Sequence, residues 1–247
     1  MNHKHIVLIT SAMYSNYGIF TPAQRIEQTL ATAKSVRTYI PESIIILIDN
    51  SKVDIQSDTS DSFNTLLDTV DYYIDNSDDV DIKHFHENVS NYDVGKNAME
   101  CLGIVKALTY ISTDAELMEL ITTSSRIFKI SGRYELTNKF NINNFDNEQT
   151  KNKYVFKVRQ PSWIPIQDTG VDTLLQTRFW SFTPALFLDT IGLFNAIIRN
   201  MFDLFNKQKY IDVEHSMAKF IPTDKLVEIE TIGLIGKIAP NGMVVVD

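Results

Sequence analysis

The 247-residue sequence lacks several features that would each indicate a particular class of protein. It has one cysteine, Cys101, so neither an intrachain disulfide nor a cysteine-ligated zinc site can form. Nine glycines and seven prolines are too few for a low-complexity chain. Acidic residues outnumber basic ones by 31 to 23, and the net charge of −8 argues against binding nucleic acid through a broad basic face. A local basic pocket for a phosphate is compatible with this charge.

Long uninterrupted apolar runs are also missing. Residues 6–9 and 44–48 are apolar, but both runs have the length of a strand rather than of a signal-peptide core or a membrane helix. We therefore expect a soluble, cytoplasmic protein without a membrane span. Apolar residues make up 44% of the chain and charged residues 22%, which is typical of a globular protein.

Strand-like and helix-like segments alternate regularly in the first half of the chain. Predicted strands lie at residues 6–10, 43–48, 70–74 and 126–131, and predicted helices at residues 22–39 and 94–111. Later predictions are a loop at residues 134–153, strands at 154–159 and 178–182, and a helix at 184–209. Continuous apolarity in residues 43–48 indicates a strand covered on both faces. The sequence therefore predicts a single α/β domain over residues 1–247, with three α/β/α layers and a Rossmann-like mixed sheet.

Polar groups follow four of the predicted strands: Thr10-Ser11, Asp49-Asn50-Ser51, Asp75-Asn76 and Ser131-Gly132-Arg133. Ligands of open α/β sheets bind beyond the carboxyl ends of the strands, so these groups predict a binding site. The Arg133 guanidinium suits a diphosphate or a carboxylate there. A structural ion pair between Arg133 and a neighbouring carboxylate is an equally good interpretation.

The first helix has a clear start. Thr21, Pro22 and Gln24 predict an N-cap, a proline in the first helical position and a capping box. Arg25 lies in the first turn beside a polar loop and is a candidate ligand contact. The polar residues further along the same face are explained equally well by a solvated surface.

Several well-known catalytic motifs are absent from the sequence. The patterns GxGxxG, GxxxxGK[ST] and GxSxG do not occur, which disfavours dehydrogenases, P-loop enzymes and α/β-hydrolases. His84, His86 and Glu87 resemble metal ligands, but they lie in a polar stretch in which solvent exposure is the better interpretation.

The most distinctive segment is Phe128-Lys129-Ile130-Ser131-Gly132-Arg133-Tyr134. Together with the proline-started helix, the strand that ends in Asp49 and the helix start Gly95-Lys96-Asn97, it resembles glycosyltransferases of the GT-A fold. The likeness is greatest to small bacterial, phage and large-virus sequences that carry the letters KISGRY. The resemblance implies transfer of a sugar from a nucleotide-sugar donor to a glycan or another hydroxyl acceptor. It also implies a nucleotide-binding half at about residues 1–125 and an acceptor and catalytic half at about residues 126–247.

The resemblance assigns roles to individual residues at the donor site. The loop after the first strand would cradle the nucleotide, Asp49 would hold the base or ribose, and the start of the later helix would contact the donor. Lys96 there would lie beside the positive end of a helix dipole, which favours an anion. The donor-binding residues that we expect are Thr10, Ser11, Ala12, Arg25, Asp49, Lys96, Asn97 and Ser131.

The sequence departs from the fold's metal motif, Asp-x-Asp, which binds Mn²⁺ or Mg²⁺. Ser131-Gly132-Arg133 stands in its place, so a bound Mn²⁺ or Mg²⁺ is an open question. Arg133 would instead neutralise the leaving diphosphate and so act in catalysis.

The late part of the chain carries the remaining candidates. By resemblance, Glu214 would deprotonate the acceptor hydroxyl, with Asp212 and His215 assisting. Asp212 is equally well explained as a helix N-cap. Trp163 and Trp180 are candidate platforms on which a sugar ring stacks, although core packing is also open for both.

Two other functions are compatible with the sequence. A sugar nucleotidyltransferase has a related sheet, but it usually carries a glycine-rich basic loop after the first strand, and residues 13–20 contain one glycine and no basic residue. A non-catalytic glycan- or nucleotide-binding module would explain the missing Asp-x-Asp motif. The oligomeric state is open.

Overall fold

The structure is a computed structural model that describes residues 4–15, 18–51, 60–89, 91–238 and 241–247, apart from the side chain of residue 92. The sequence also predicts a loop with a short helix at residues 54–68, of which residues 54–59 lie outside the described ranges. In the described ranges the strands are β1 (His5–Ser11), β2 (Ser43–Asp49), β3 (Tyr72–Asp75), β4 (Arg126–Ser131), β5 (Tyr134–Leu136), β6 (Tyr154–Lys157), β7 (Gln160–Pro161), β8 (Thr173–Leu174), β9 (Phe179–Phe182), β10 (Leu226–Ile229), β11 (Leu234–Lys237) and β12 (Val244–Val246).

The helices surround the main sheet. In the described ranges they are α1 (Pro22–Tyr39), α2 (Asp61–Thr69), α3 (Val80–Asn88), α4 (Tyr92–Thr113), α5 (Ala115–Thr123), α6 (Ile166–Thr169), α7 (Phe187–Asn206) and α8 (Val213–Phe220). Helix α1 begins as the sequence predicts, because the Thr21 side chain accepts a hydrogen bond from the Gln24 backbone N–H and Gln24 completes the capping box.

The main sheet is mixed, as predicted. Its strand order is β10-β6-β9-β4-β1-β2-β3. Strands β3, β2, β1 and β4 are parallel to one another, whereas β9 is antiparallel to both β4 and β6. The carboxyl ends of β1, β2 and β4 therefore meet at one edge, and the direction of the strands changes beside β4.

A hydrophobic core covers each face of this sheet. Alternate residues of β1 and β2 enter opposite cores, so that Leu8 packs towards α4, α5 and α7, whereas Val7 packs towards α1 and α2. A small antiparallel sheet, β12-β11-β5, extends the second core over α1. This arrangement is the predicted three-layer α/β/α architecture.

Several elements differ from the sequence prediction, and three of them lie near the site or build the small sheet. Residues 80–88 form helix α3, which is capped by Asp79, although the sequence analysis predicted no helix there. The predicted loop at residues 134–153 begins with strand β5, which pairs with β11. Helix α4 begins at residue 92 with Asn91 as its N-cap, two residues earlier than predicted.

Helix α7 follows a 3-10 turn at Pro184–Leu186. Among the described residues, the segment Pro184–Asn206 is long and apolar enough to cross a membrane by length and composition, with a mean hydropathy of 1.3. Its apolar side chains Phe187, Phe194 and Ile197 pack in the core beside α4. Core helices of soluble proteins pass the same length and composition test, so this helix is weak support for a membrane span.

Candidate functional site

Two adjoining cavities lie at the carboxyl edge of β1 and β4. The first has a volume of about 100 Å³ and is lined by the β1 loop, including Thr10, Ser11 and Ala12. The second has a volume of about 490 Å³ and extends towards α8 and the segment before β9. Four residues line both cavities and so mark their junction: Lys96, Glu100, Ser131 and Arg133.

Two of the junction residues are cations, Lys96 and Arg133. Within the described part of the chain, neither Lys96 nor Arg133 makes a side-chain hydrogen bond or an ion pair. The Arg133 Nε is buried and has no acceptor there. A buried donor without a partner is costly, which is a reason to expect that an anion completes this site.

Tight packing under the Ser131-Gly132-Arg133 turn places Arg133 at this junction. The Gly132 backbone N–H donates to the Thr10 carbonyl oxygen at 2.8 Å, and the Thr29 hydroxyl of α1 donates to the Gly132 carbonyl oxygen at 3.2 Å. A Cβ at position 132 would lie 2.9 Å from the Thr29 Oγ1. Glycine therefore lets β4 turn directly against α1, and the next side chain, Arg133, extends along the cavities.

Asp49 was expected to contact a nucleotide, and the structure corrects this expectation. Its carboxylate is 0% exposed and accepts hydrogen bonds from the backbone N–H groups of Met13 at 2.9 Å and Ser51 at 2.8 Å. Burial raises the pKa of Asp49, although hydrogen bonds from Ser51 and Met13 oppose the rise. Asp49 does not line either cavity and instead fixes the loop after β1.

Arg25 also braces this loop. Its guanidinium donates to the Ala12 carbonyl oxygen at 3.1 Å and to the Phe20 carbonyl oxygen at 3.3 Å. Arg25 lines the first cavity, these bonds give it a structural role, and its contact with a ligand stays a prediction.

Lys96 and Asn97 lie in the second turn of α4, so the expected helix-terminus site at Lys96 is wrong. Lys96 reaches the junction through its side chain alone. The Asn97 amide donates to the Asp93 carbonyl oxygen at 2.8 Å and to the Tyr210 hydroxyl at 3.0 Å. Asn97 lines the second cavity and ties α4 to the segment before α8.

A buried ion pair at the junction was not predicted from the sequence. Lys129 of β4 is 1% exposed, and its ammonium donates to Glu100 at 2.8 Å, to the Ser131 hydroxyl at 2.9 Å and to the Thr177 carbonyl oxygen at 2.9 Å. A lysine between Phe128 and Ile130 in a buried strand was the available signal, because a buried charge requires a partner.

The second cavity contains two carboxylates on α8. Asp212 is the N-cap of α8 and accepts hydrogen bonds from the His215 backbone N–H at 2.8 Å and from the His215 Nδ1 at 2.7 Å. Glu214, one position into the first turn, lines the cavity. Burial and then the Asp212 charge raise the pKa of Glu214, whereas Arg178 lowers it. The Asp212 carboxylate thus already accepts hydrogen bonds from the first turn of α8 and from the His215 ring. Glu214 is therefore the better candidate for the catalytic base.

His215 was expected to bind substrate, but it is 0% exposed and does not line either cavity. Its Nε2 lies 2.8 Å from the Ser162 Oγ. That hydroxyl donates to the Ile164 carbonyl oxygen at 2.6 Å and accepts from the Ile164 N–H at 2.9 Å. His215 is therefore held between the Ser162 hydroxyl and the Asp212 carboxylate, and the donor in the Nε2–Oγ pair depends on the tautomer of the ring.

The two tryptophans have opposite environments. Trp163 is 66% exposed, lines the second cavity and meets the His215 ring edge-to-face at 4.9 Å. Trp180 is 1% exposed and stacks on Phe156 at 5.3 Å in the core. The prediction of a sugar platform at Trp180 is wrong, because β9 is buried on both faces.

The junction does not fit a divalent metal ion. No group of three or more His, Cys, Asp or Glu side chains suited to a metal occurs in the described ranges. The carboxylate at the junction, Glu100, is paired with Lys129, and Lys96 and Arg133 add two further positive charges. His84 and His86 do not form a metal site either. The His86 Nε2 lies 3.1 Å from the Asn50 carbonyl oxygen beside the first cavity, and the His84 ring makes a hydrogen bond with the Asn88 amide.

Comparisons with known proteins address the fold. No family model matches the sequence, and no curated protein matches it. Core-mannan synthase A from Aspergillus fumigatus, in its Mn/GDP form, is similar in structure with a TM-score of 0.51 and 11% identity, over 96% of this chain and 76% of that one. The bifunctional glycosyltransferase WbbM, in its apo form, gives a TM-score of 0.52 and 10% identity over 93% of this chain, which spans only 39% of WbbM. The chain has the GT-A fold. The narrower likeness to KISGRY-bearing sequences stays a prediction.

Proposed function

We propose that the protein is a glycosyltransferase that moves a sugar from a nucleotide-sugar donor to a glycan or another hydroxyl acceptor. The observation that carries this proposal is the pair of cations Lys96 and Arg133, which have no hydrogen-bond or ion-pair partner among the described residues, at the junction of two cavities on the carboxyl edge of the sheet. A nucleoside diphosphate is an anion that matches two such cations, and the leaving group of a glycosyl transfer develops negative charge at this position. The GT-A fold agrees with this assignment.

The first cavity would hold the nucleotide. Thr10, Ser11 and Ala12 line it, and Asp49 and Arg25 fix the backbone of their loop. The diphosphate would extend to Lys96 and Arg133, with the Ser131 hydroxyl beside it. With the nucleotide, the diphosphate and the sugar arranged in this order, the scissile bond would lie at the junction and the transferred sugar would extend towards the second cavity.

The second cavity would hold the acceptor. Glu214 would take the proton from the acceptor hydroxyl as its oxygen bonds to the anomeric carbon and the diphosphate leaves. A raised pKa suits a base that works near neutral pH. Trp163 would pack against the apolar face of the acceptor sugar, since it is exposed and lines the same cavity.

We propose that Lys96 and Arg133 supply the charge neutralisation that Mn²⁺ or Mg²⁺ supplies where an Asp-x-Asp motif is present. The reason is the donor set, because Ser131-Gly132-Arg133 presents a guanidinium where the motif has two carboxylates. The division of the chain into a nucleotide-binding half and an acceptor half stays a prediction, and so does a cytoplasmic location.

A panel of nucleoside diphosphates and nucleotide sugars, with Mn²⁺ or with EDTA, tests the proposal. A ligand at one hundred times its Kd stabilises a fold by about 2.7 kcal/mol, which a thermal-unfolding experiment detects. We expect one nucleoside diphosphate to stabilise the protein equally with and without EDTA, and the matching nucleotide sugar to be consumed when glycan acceptors are added. Binding without turnover would favour a non-catalytic binding module, and the absence of any nucleotide response would refute the proposal.

A further inference from the structure

Glu100 occupies an unusual position between the two cavities. It lies on α4, one turn after Lys96, and lines both the first and the second cavity. Its side chain is 24% exposed, so part of the carboxylate is open to the junction. Of the acidic residues that line these cavities, it alone lines both.

The Lys129 ammonium fixes the Glu100 carboxylate in place. An ammonium has three N–H donors, and Lys129 uses one each on Glu100, Ser131 and Thr177. Lys129 is therefore saturated, buried and unable to contact a ligand. Glu100 receives its bond on Oε1, and in the described part of the chain its second oxygen, Oε2, has no hydrogen-bond donor.

The surrounding charges keep this carboxylate ionised. Lys129 first, and then Lys96 and Arg133, lower the pKa of Glu100 against the opposing effect of burial. Glu214 in the second cavity has the opposite shift, because burial and Asp212 raise its pKa. Two carboxylates whose environments move their pKa values apart are suited to different tasks in one reaction.

We propose that Glu100 is a further catalytic residue, whose free carboxylate oxygen faces the anomeric carbon of the transferred sugar and stabilises the positive charge that develops there. This inference rests on the proposed function. In the transfer, the bond from the anomeric carbon to the diphosphate breaks with its electron pair on the diphosphate. The acceptor oxygen forms the new bond, and its proton passes to Glu214. The anomeric carbon becomes oxocarbenium-like between these events, and an ionised, preorganised carboxylate beside it lowers the barrier.

A purely structural role for Glu100, as the counter-ion of Lys129, makes a different prediction. If Glu100 serves only to neutralise Lys129, then removing both charges together restores a neutral core and a working site. If Glu100 acts on the sugar, then removing both charges restores the fold and leaves the chemistry impaired. The two roles therefore differ in the behaviour of the double variant, as in a double-mutant cycle.

The experiment compares the wild type with E100Q, K129M and the double variant E100Q/K129M. For each, we measure the kcat of nucleotide-sugar turnover, the Kd of the nucleoside diphosphate identified in the panel, and thermal unfolding. E119Q, on the exposed face of α5, removes the same charge away from the cavities and is the matched control. E100Q alone leaves the Lys129 charge unpaired and can fail to fold, so the double variant decides the outcome.

We expect the double variant to fold and to lose about 100-fold or more in kcat, which is the usual cost of removing one preorganised electrostatic group. Its Kd for the nucleoside diphosphate should be close to that of the wild type, because the double variant removes one negative and one positive charge together. A loss in kcat of less than about tenfold would overturn the inference while leaving the transferase in place. If the wild type neither binds a nucleotide nor turns over a nucleotide sugar, the proposed function itself fails.

Discussion

Replacing Arg133 by alanine should have opposite effects on ligand binding and on the stability of the free protein. The side chain lines both cavities, and in the described ranges its guanidinium makes no bond to the protein. Its hydrogen bonds are therefore expected only when an anion is bound, and in the free protein its charge favours the ionised form of Glu100. In the free protein, the buried Nε without an acceptor is a cost that the substitution removes.

The magnitudes follow from the kind of bond that is lost. A charge-assisted hydrogen bond contributes about 1.5–3 kcal/mol, so R133A should raise the Kd of the nucleoside diphosphate by about 10- to 150-fold. The free energy of unfolding of the ligand-free variant should be unchanged or up to about 1 kcal/mol higher. R133K keeps the charge without the two-pronged guanidinium and should give an intermediate Kd.

Isothermal titration with the nucleoside diphosphate and urea unfolding without ligand measure the two effects. R199A, which removes an exposed arginine of α7, is the charge-matched control and should bind as the wild type does. A wild-type Kd for R133A would show that the guanidinium does not hold the diphosphate. A clear loss of stability in the ligand-free variant would instead show that Arg133 is a structural residue.

Three further predictions follow from the site and the core. Because the pKa of Glu214 is raised and its base form is required, kcat/KM should fall as the pH drops through a value above 4.5. E214Q should abolish this fall in kcat/KM at acid pH, together with most of the turnover, without changing the Kd of the nucleotide. W163A should raise the acceptor KM by about three- to tenfold at constant nucleotide Kd, and an unchanged KM would exclude stacking. Because burial raises the pKa of the Cys101 thiol, a thiol reagent should label Cys101 only in denaturant, and rapid labelling of the native protein would contradict its burial.

Local signals in the sequence were sufficient for much of the fold. Thr21, Pro22 and Gln24 determine the start of α1 through neighbouring bonds, so a prediction from adjacent residues is reliable there. The central strand β4 has the predicted bounds, residues 126–131, because the strand-like segment ends sharply at Ser131-Gly132. The parallel strands were recognisable since both of their faces are apolar.

Contacts between elements that are far apart in the sequence could not be predicted from such local signals. Strand β5 forms by pairing with β11, about one hundred residues later, and nothing within residues 134–136 identifies that partner. Helix α3 has few buried residues of its own and packs through Phe85 on Phe202 of α7, so its pattern looked polar. These elements depend on tertiary contacts rather than on propensity.

The candidate site was predictable in position and less so in detail. The strand ends at residues 10–11 and 131–133 were correctly expected to adjoin, because parallel strands end at one edge. The direction in which each side chain points could not be predicted from the neighbouring residues in the sequence. Asp49 turns inward because Met13 offers its N–H there, and the fates of Trp163 and Trp180 follow from their positions in a loop and in a covered strand.

The Ser162–His215–Asp212 cluster matches the catalytic triad of a serine hydrolase in its two key distances, 2.8 Å and 2.7 Å. A comparison of atom positions alone would identify these three residues as a nucleophile, a base and an orienting acid. Burial distinguishes the two: a hydrolase presents its serine and histidine to the substrate, whereas here His215 is 0% exposed and lines neither of the two cavities. The cluster therefore joins the Trp163 loop to α8, and burial separates a structural contact from a catalytic one at the same spacing.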